Sequence, residues 1–429
     1  MHNSQIVKKI GGGGSLAASL FCVAASAAIP MAANADTITT NGVTWTYSEL
    51  NATTKTVTIG SGGTAGDAIV PNTAFVNALN IPWKMVIDGE EYTVNKIATA
   101  AFKDCTGLTG VLSIPDTVTV VGGNQAFDGC TGLTGISDFG GITTTKQTMF
   151  NVCTGLSGRL TIPDTCEYAF DNFAFNKCSG LTAIVVGSGV TRTGRYFGSN
   201  CPLLEGAWIK GRPTVASGTQ AFTTIRQPYA FYASGALKVI FFGKNTQLDL
   251  NNGSTIPILS TATKGCKVFV PANGKWDNCN YSGTDTDVIE YGENQNLDLV
   301  VDEAAGTVTA TPTTPELLVK MLEAAPTFKS AFALDMKISV TNALDLTGVT
   351  ITDDMVDGVT FDRLMFSAKT QTQLNAILGK FPATTPISID PTGLTENMVI
   401  PDGYPNVFVK TVPGVTVRRM ASGFMLIVR

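Results

Sequence analysis

The sequence predicts a repeat solenoid: an array with a parallel β-sheet and β-rich caps, followed by a small C-terminal α+β domain. The first observation behind this prediction is a short apolar motif that recurs at near-constant spacing between residues 97 and 245. The second is composition, because only 15% of the 429 residues are charged and 44 are glycine, as is typical of short strands and turns. The third is that the clear helix signals lie after residue 293.

The first 35 residues have the pattern of a secretory signal. Lys8 and Lys9 supply positive charge, residues 16–29 form a short apolar run, and Ala33-Asn34-Ala35 is a cleavage motif, so we expect cleavage after Ala35. The run is too short and too rich in alanine for a membrane-spanning helix, which needs about 20 strongly apolar residues. We therefore expect a protein that is secreted or held at the cell surface, with no transmembrane segment after cleavage.

The charged residues disfavour several functions. His2 is the only histidine and lies in the signal segment, so the exported chain has no histidine base and no histidine ligand for zinc. Removing Lys8 and Lys9 leaves 29 − 2 = 27 basic against 34 acidic side chains, a net charge of −7 that argues against a nucleic-acid partner. Asp104 and Asp128, at nearly equivalent repeat positions, are more typical of solvated turns than of a glycosidase pair. We expect no enzymatic activity, no cofactor and no metal site.

The repeated motif is Phe-x-x-Cys-x-x-Leu, and its successive cysteines are 25, 23, 25 and 23 residues apart. The predicted repeat core consists of Phe102, Cys105 and Leu108; Phe127, Cys130 and Leu133; Phe150, Cys153 and Leu156; Phe175, Cys178 and Leu181; and, after one inserted residue behind Phe197, Cys201 and Leu204. A sixth, decayed unit keeps Phe231 and Leu237 but has Ser234 at the cysteine position. A unit this short cannot bury its apolar side chains alone, so stacking must build one continuous core.

The motif and its flanks resemble the BspA-type leucine-rich repeat of bacterial surface proteins. Ala126-Phe127 and Ala174-Phe175 match the Ala-Phe step of that family, and Ile114-Pro115 and Ile162-Pro163 match its Ile-Pro step. The resemblance covers residues 97–245 and implies a leucine-rich repeat array that acts in adhesin-like recognition at a bacterial surface. The resulting division is a signal peptide (1–35), an N-terminal β cap (36–96), the repeats (97–245), a C-terminal cap of the array (246–292) and an α+β module of unknown type (293–429).

Five of the cysteines occupy one repeat position and should stack on each other. An odd number cannot pair fully within one column, so we expect buried thiols that act as small apolar side chains. Cys166, Cys266 and Cys279 lie outside the column, and a Cys266–Cys279 disulfide in the C-terminal cap is a second alternative. The spacing does not gather four ligands for a zinc cluster.

The C-terminal segment carries two helix patterns, each followed by a proline and then a strand. Thr314 is an N-cap candidate, with Pro315 as the first residue of a helix running to about Ala325. A second helix is predicted over 372–381, and strands are predicted near 337–340, 359–361, 387–389 and 406–409. The similar helix–strand order suggests two related units.

The outward strand positions of the array predict a ligand site, because alternate residues of a strand point to opposite faces. On the concave face we expect Val111, Ser113, Arg159, Thr161, Val185, Trp208 and Phe241. The last three form an apolar stripe that is either exposed for recognition or covered by the 212–230 loop or the C-terminal module. We expect a protein or an extracellular matrix or glycan ligand; the alternative is a structural cell-envelope component whose C-terminal module attaches to cell wall or glycan.

Overall fold

The computed structural model describes residues 35–40, 42–70, 77–142, 146–166, 170–211, 223–225, 230–248, 256–257, 263–272, 279–280, 285–394, 398–410, 417–421 and 424–428. The predicted signal segment up to Asn34 and most of the predicted 212–230 loop lie outside these residues. Among the residues described, no helix combines the length and the apolarity needed to cross a bilayer.

The elements are short strands in the array and strands with helices after it. The strands are β1 (Asp36–Thr40), β2 (Val43–Asn51), β3 (Thr56–Ile59), β4 (Asn77–Asn80), β5 (Lys84–Ile87), β6 (Glu90–Ile97), β7 (Leu108–Ile114), β8 (Val120–Val121), β9 (Leu133–Phe139), β10 (Ser157–Ile162), β11 (Gly180–Val186), β12 (Arg192–Thr193), β13 (Gly206–Gly211), β14 (Thr223–Ile225), β15 (Val239–Leu248), β16 (Ile256–Pro257), β17 (Lys267–Pro271), β18 (Cys279–Asn280), β19 (Asp287–Tyr291), β20 (Leu297–Asp302), β21 (Thr307–Pro312), β22 (Asp335–Ser339), β23 (Thr360–Ser367), β24 (Ile387–Asp390), β25 (Met398–Ile400), β26 (Val407–Val409), β27 (Val417–Ala421) and β28 (Phe424–Val428). The helices are α1 (Pro315–Phe332), α2 (Asp353–Val356) and α3 (Gln371–Leu378).

The N-terminal strands form a mixed sheet in the order β1-β2-β3-β6-β5. The hairpin strands predicted from the Thr, Val and Tyr alternation are confirmed, because β1 pairs antiparallel with β2, and β2 with β3. Trp45 of β2 packs edge-on against Phe102, the first phenylalanine of the repeats, with ring centroids 6.4 Å apart. This sheet therefore covers the apolar side chains of the first repeat unit, as the end of a stacked array requires.

The repeats stack with the predicted parallel pairing, divided into one sheet that ends at β9 and a second that begins at β10. Strands β4, β7 and β9 pair in parallel, as do β10, β11, β13, β15, β17 and β19. The parallel pairing continues past residue 245, because β17 and β19 of the predicted C-terminal cap add two further strands. The chain is a parallel β-solenoid, as the spacing of the motif predicted.

The repeat positions form columns inside the solenoid. The rings of Phe102, Phe127, Phe150 and Phe175 stack with successive centroid distances of 4.9, 5.3 and 5.4 Å and planes within 9° of parallel. Phe197, which precedes the inserted residue, turns edge-on at 84°. The leucines Leu108, Leu133, Leu156, Leu181, Leu204 and Leu237 are all at most 1% exposed. Each apolar side chain thus packs on its equivalents in the neighbouring units.

The cysteine column is made of buried thiols. From Cys130 onward each Sγ donates to the backbone carbonyl of the phenylalanine one unit earlier, for example Cys130 to Phe102 over 2.9 Å, whereas Cys105 donates to the carbonyl of Gly66. Burial raises the pKa of the Cys153 thiol from an ordinary 9.0 to about 12. Cys266 is also a buried thiol that is not disulfide-bonded, and the side chain of Cys279 lies outside the described residues.

The C-terminal segment continues the parallel arrangement with helices inserted. Strands β21, β22, β23, β24 and β26 are all parallel neighbours. Paired residues lie 361 − 338 = 23 apart between β22 and β23, and 387 − 364 = 23 apart between β23 and β24. The strands of the two predicted helix–strand units thus recur at the same spacing as the strands of the array.

The predicted helices exist, but both end elsewhere than predicted, since α3 also ends at Leu378 and not at residue 381. Thr314 caps α1, since its side chain accepts a hydrogen bond from the amide of Leu317. The prediction that α1 ends near Ala325 is wrong: the helix continues through Pro326 to Phe332. The proline removes one backbone hydrogen bond, but the turns beyond it bury further apolar side chains, which offsets that loss. The second predicted helix is α3, and the short α2 was not predicted.

Candidate functional site on the outer sheet face

The outer sheet face is the side of the parallel sheet that points away from the solenoid core. Two rows of side chains run along it from strand to strand. The first row contains Val111 and Gly135 on β7 and β9 and then Arg159, Ala183, Gly206, Val239, Lys267 and Asp287 from β10 to β19; β9 and β10 are not paired, so the two parts are aligned by repeat position. The second row contains Thr161, Val185, Trp208, Phe241, Phe269 and Ile289, with Ser113 at the corresponding position of β7. All seven residues predicted from the alternation of the strands lie in these rows.

Helix α1 covers the C-terminal half of this face. Trp208 is only 4% exposed and packs against Phe332 with ring centroids 5.9 Å apart. Phe241 lies 5.5 Å from Phe328 in the same way. Gly206 allows this approach, because a Cβ atom added there would lie 2.4 Å from the Cβ of Ala331. The helix and the sheet face share one apolar core.

The helix crosses the strands along the stacking direction. Lys320 pairs with Asp287 of β19 over 3.1 Å, Glu323 pairs with Lys267 of β17 over 2.7 Å, and Ala331 lies against β13. The eleven residues from Lys320 to Ala331 rise roughly 16 Å at about 1.5 Å each. The three strand spacings from β19 to β13 span roughly 14 Å at about 4.8 Å each. The rise of the helix therefore keeps its side chains in step with successive strands.

One prediction is corrected by this packing. Val185, Trp208 and Phe241 do point outward from the sheet, but they are buried at 4%, 4% and 2% exposure and are not open to a partner. Of the two alternatives for the apolar stripe, the structure shows the covered one, and the cover is α1. The cover is stabilised by the hydrophobic effect, because the stripe and the apolar face of α1 bury each other's surface away from water.

A polar cluster closes the edge of the covered half. The ammonium group of Lys210 lies 3.3 Å from the carboxylate of Asp164, contacts the carboxylate of Glu303 and sits over the Trp208 ring at 5.2 Å. Partial burial acts to raise the pKa of Asp164, but the hydrogen bonds from Ser188 and the charge of Lys210 lower it overall. Since these carboxylates are half-exposed, the ion pairs add little stability individually, and they orient the two parts of the chain.

The N-terminal half of the face is open. Val111 is 49% exposed, Arg159 and Thr161 are exposed, and Ser113 is half-buried. Among the described residues, Arg159 forms no ion pair. A Cβ added at Gly135 would meet only the side chain of Val111, at 3.7 Å. The sites predicted at Val111, Ser113, Arg159 and Thr161 therefore form a shallow accessible surface with one unpaired cation.

A ladder of amide side chains was missed by the sequence analysis. The Nδ2 atoms of Asn151, Asn176 and Asn200 donate in turn to Asp128 Oδ1, Asn151 Oδ1 and Asn176 Oδ1, over 2.8, 2.8 and 2.9 Å. Asp128, expected in a solvated turn, is 7% exposed and also accepts from Gln125. As an acceptor without a donor, a carboxylate can end such a ladder. The signal was present, because Asp128, Asn151 and Asn176 each directly follow a column phenylalanine.

Within the part of the chain that the structure describes, no three His, Cys, Asp or Glu side chains come together as a metal site requires.

A parallel solenoid with stacked leucine, phenylalanine and cysteine columns defines the class of leucine-rich repeat proteins. Within this class, residues 95–222 match the model of the BspA type leucine rich repeat region in six copies, and this part of the chain is a BspA-type array. No curated protein is significantly similar to the chain.

Three solved structures match the chain at low sequence identity. A leucine-rich repeat protein of T. pallidum is 22% identical, with a TM-score of 0.35, over 48% of this chain and 81% of its own. A leucine-rich repeat protein of Bacteroides ovatus is 15% identical, with a TM-score of 0.31, over 91% of this chain and 77% of its own. A leucine rich cell surface protein of Faecalibacterium prausnitzii is 17% identical, with a TM-score of 0.20, over 60% of this chain and 96% of its own.

Proposed function

We propose that this protein is exported to the surface or the surroundings of a bacterium and binds a protein or extracellular matrix partner there. The binding surface in this proposal is the open half of the outer sheet face, formed by Val111, Ser113, Arg159 and Thr161. The signal-type N-terminus and the BspA-type array support export and recognition respectively. The observation that carries the proposal is the half-exposed Val111 on the same face as Arg159, which is exposed and forms no ion pair with the residues described.

The physical argument rests on the shape and chemistry of this surface. Stacked repeats present an extended face on which one side chain per strand is displayed in a straight row. Protein interfaces are enriched in arginine and apolar side chains at their centres. The open half offers one of each, flanked by small hydroxyl side chains that a partner can approach closely.

The covered half contributes to function indirectly. Because α1 buries Trp208 and Phe241, the C-terminal segment and the covered outer face share one apolar core, separate from the core inside the array. The C-terminal segment thus holds the array in a fixed arrangement, and recognition is confined to the strands that α1 does not reach.

The test is a pair of matched substitutions in the full exported chain. Val111 is 49% exposed on the outer face, and Val120 is 45% exposed on β8, which pairs with β6. Binding of the wild type, Val111→Asp and Val120→Asp to immobilised fibronectin, laminin and mucin is measured by biolayer interferometry. We expect Val111→Asp to weaken binding at least tenfold and Val120→Asp to leave it unchanged, with equal melting temperatures.

The alternative of an envelope component has a different outcome. Binding to purified peptidoglycan or wall polysaccharide that is unaffected by Val111→Asp, without binding to the matrix proteins, would contradict the proposed function.

A further inference from the structure

We infer that the open half of the outer sheet face accepts an amphipathic α-helix from the partner, laid across the strands with an acidic side chain against Arg159. This inference rests on the proposed function and specifies the partner's chemistry. It comes from the way the same face binds a helix of its own chain.

Helix α1 serves as the internal template. On the covered half it places a side chain against the first-row residue of three strands: Lys320 against Asp287, Glu323 against Lys267, and Ala331 against Gly206. Charged positions of the first row meet an opposite charge, and the glycine position meets a small side chain. The open half continues this face at the repeat spacing: β9 and β10 are not hydrogen-bonded to each other, but Phe127 and Phe150 of their two units stack with ring centroids 5.3 Å apart.

The geometry of the strands limits what can lie across them. A spacing of about 4.8 Å between strands is matched by three to four helical residues at about 1.5 Å each. An extended peptide rises about 3.3 Å per residue, and every second side chain points away from the sheet. Its remaining side chains would therefore not coincide with successive strands. The i, i+3 and i+7 positions of a helix instead form one stripe in step with the face.

The three open positions of the first row specify that stripe. Arg159 is exposed and forms no ion pair with any described residue, so it matches a carboxylate. The space above Gly135 is open, whereas the space above Gly206 is occupied by Ala331. By analogy, Gly135 matches Ala, Gly or Ser on the partner helix. Val111 is half exposed and matches an apolar side chain. The expected motif is acidic at i, small at i+3 or i+4, and apolar at i+7, read in the direction from Arg159 to Val111 or reversed.

The probes are two displayed peptide libraries selected on the full exported chain. One library varies the face of a single-helix scaffold, and the other varies the face of a β-hairpin scaffold. We expect the helix library to yield binders with the motif above. Replacement of their acidic residue by Lys should abolish binding to the wild type and allow binding to Arg159→Glu.

Substitutions in the protein show where the selected peptides bind. Arg159→Glu and Gly135→Leu should each weaken binding of the selected helices at least tenfold. A leucine at Gly135 is compatible with the fold, because its Cβ makes only an ordinary contact with Val111. The matched control is Lys177→Glu, an exposed cation outside the outer sheet face, which should leave binding unchanged.

The outcomes separate this inference from the proposed function. Helix binders that ignore both Arg159→Glu and Gly135→Leu, or dependence on Arg159 found only among hairpin binders, would overturn the helix inference. Selection of no helix binder would do the same. Loss of matrix binding in Val111→Asp would still support the proposed function in each case.

Discussion

The indole of Trp208 and the phenyl ring of Phe332 lie 5.9 Å apart and join the middle of the array to the end of helix α1. Trp208→Ala should therefore lower the free energy of unfolding by about 3–5 kcal/mol, as expected for an aromatic side chain removed from a core. Urea unfolding followed by circular dichroism measures this change. The control is Trp83→Ala, because Trp83 is 56% exposed, and a change within about 0.5 kcal/mol is expected there. Equal effects of the two substitutions would contradict the covered face.

The leucine column makes a separate prediction. Leu156 is fully buried between equivalent leucines, so Leu156→Ala should cost about 2–5 kcal/mol through lost burial and the cavity left behind. Leu203→Ala is the matched control, since Leu203 is 55% exposed. A thermal unfolding series compares the two variants, and a loss in Leu156→Ala no greater than that in Leu203→Ala would argue against stacked repeats.

The amide ladder should contribute measurable stability. Asn176→Ala removes a donor to Asn151 and an acceptor from Asn200, which leaves two polar groups without these partners. We expect a loss of about 1–3 kcal/mol in chemical denaturation. Asn375→Ala removes only an exposed hydrogen bond from Gln371 and should change stability by less than about 0.5 kcal/mol. A neutral Asn176→Ala would show that the ladder is energetically unimportant.

The thiol column predicts a loss of stability at alkaline pH. Burial raises the pKa of Cys153 from 9.0 to about 12, so between these values the unfolded chain loses a proton that the folded chain keeps. Stability is then complete below pH 9 and falls as pH rises toward 12, by about 1.4 kcal/mol per pH unit for each such thiol. The free energy of unfolding, measured by denaturation from pH 8 to 11, should fall less steeply with pH for Cys153→Ala than for the wild type. Identical slopes would contradict a buried protonated thiol.

The array could be read from the sequence because its stabilising contacts repeat at fixed spacing. Phe127 and Phe150 occupy equivalent positions and need only their neighbours to be buried, so the motif predicts the column directly. The partner of Trp208 could not be read in this way, because α1 follows far along the chain and no local pattern links them. Proline at 326 suggested a helix end, yet tertiary burial of Phe328 and Phe332 outweighed that local signal. The ladder of Asn151 and Asn176 was visible as a pattern, but its burial depends on the stacking itself.

The division of the outer sheet face into a covered half and an open half is tested most directly by hydroxyl-radical footprinting of the chain from Asp36 onward. Oxidation rates of individual side chains are read by mass spectrometry in the native protein and in denaturant. We expect Trp208 to be strongly protected in the native protein while Trp83 reacts rapidly, and both to react at similar rates once unfolded. Native oxidation of Trp208 at a rate close to that of Trp83 would contradict the account.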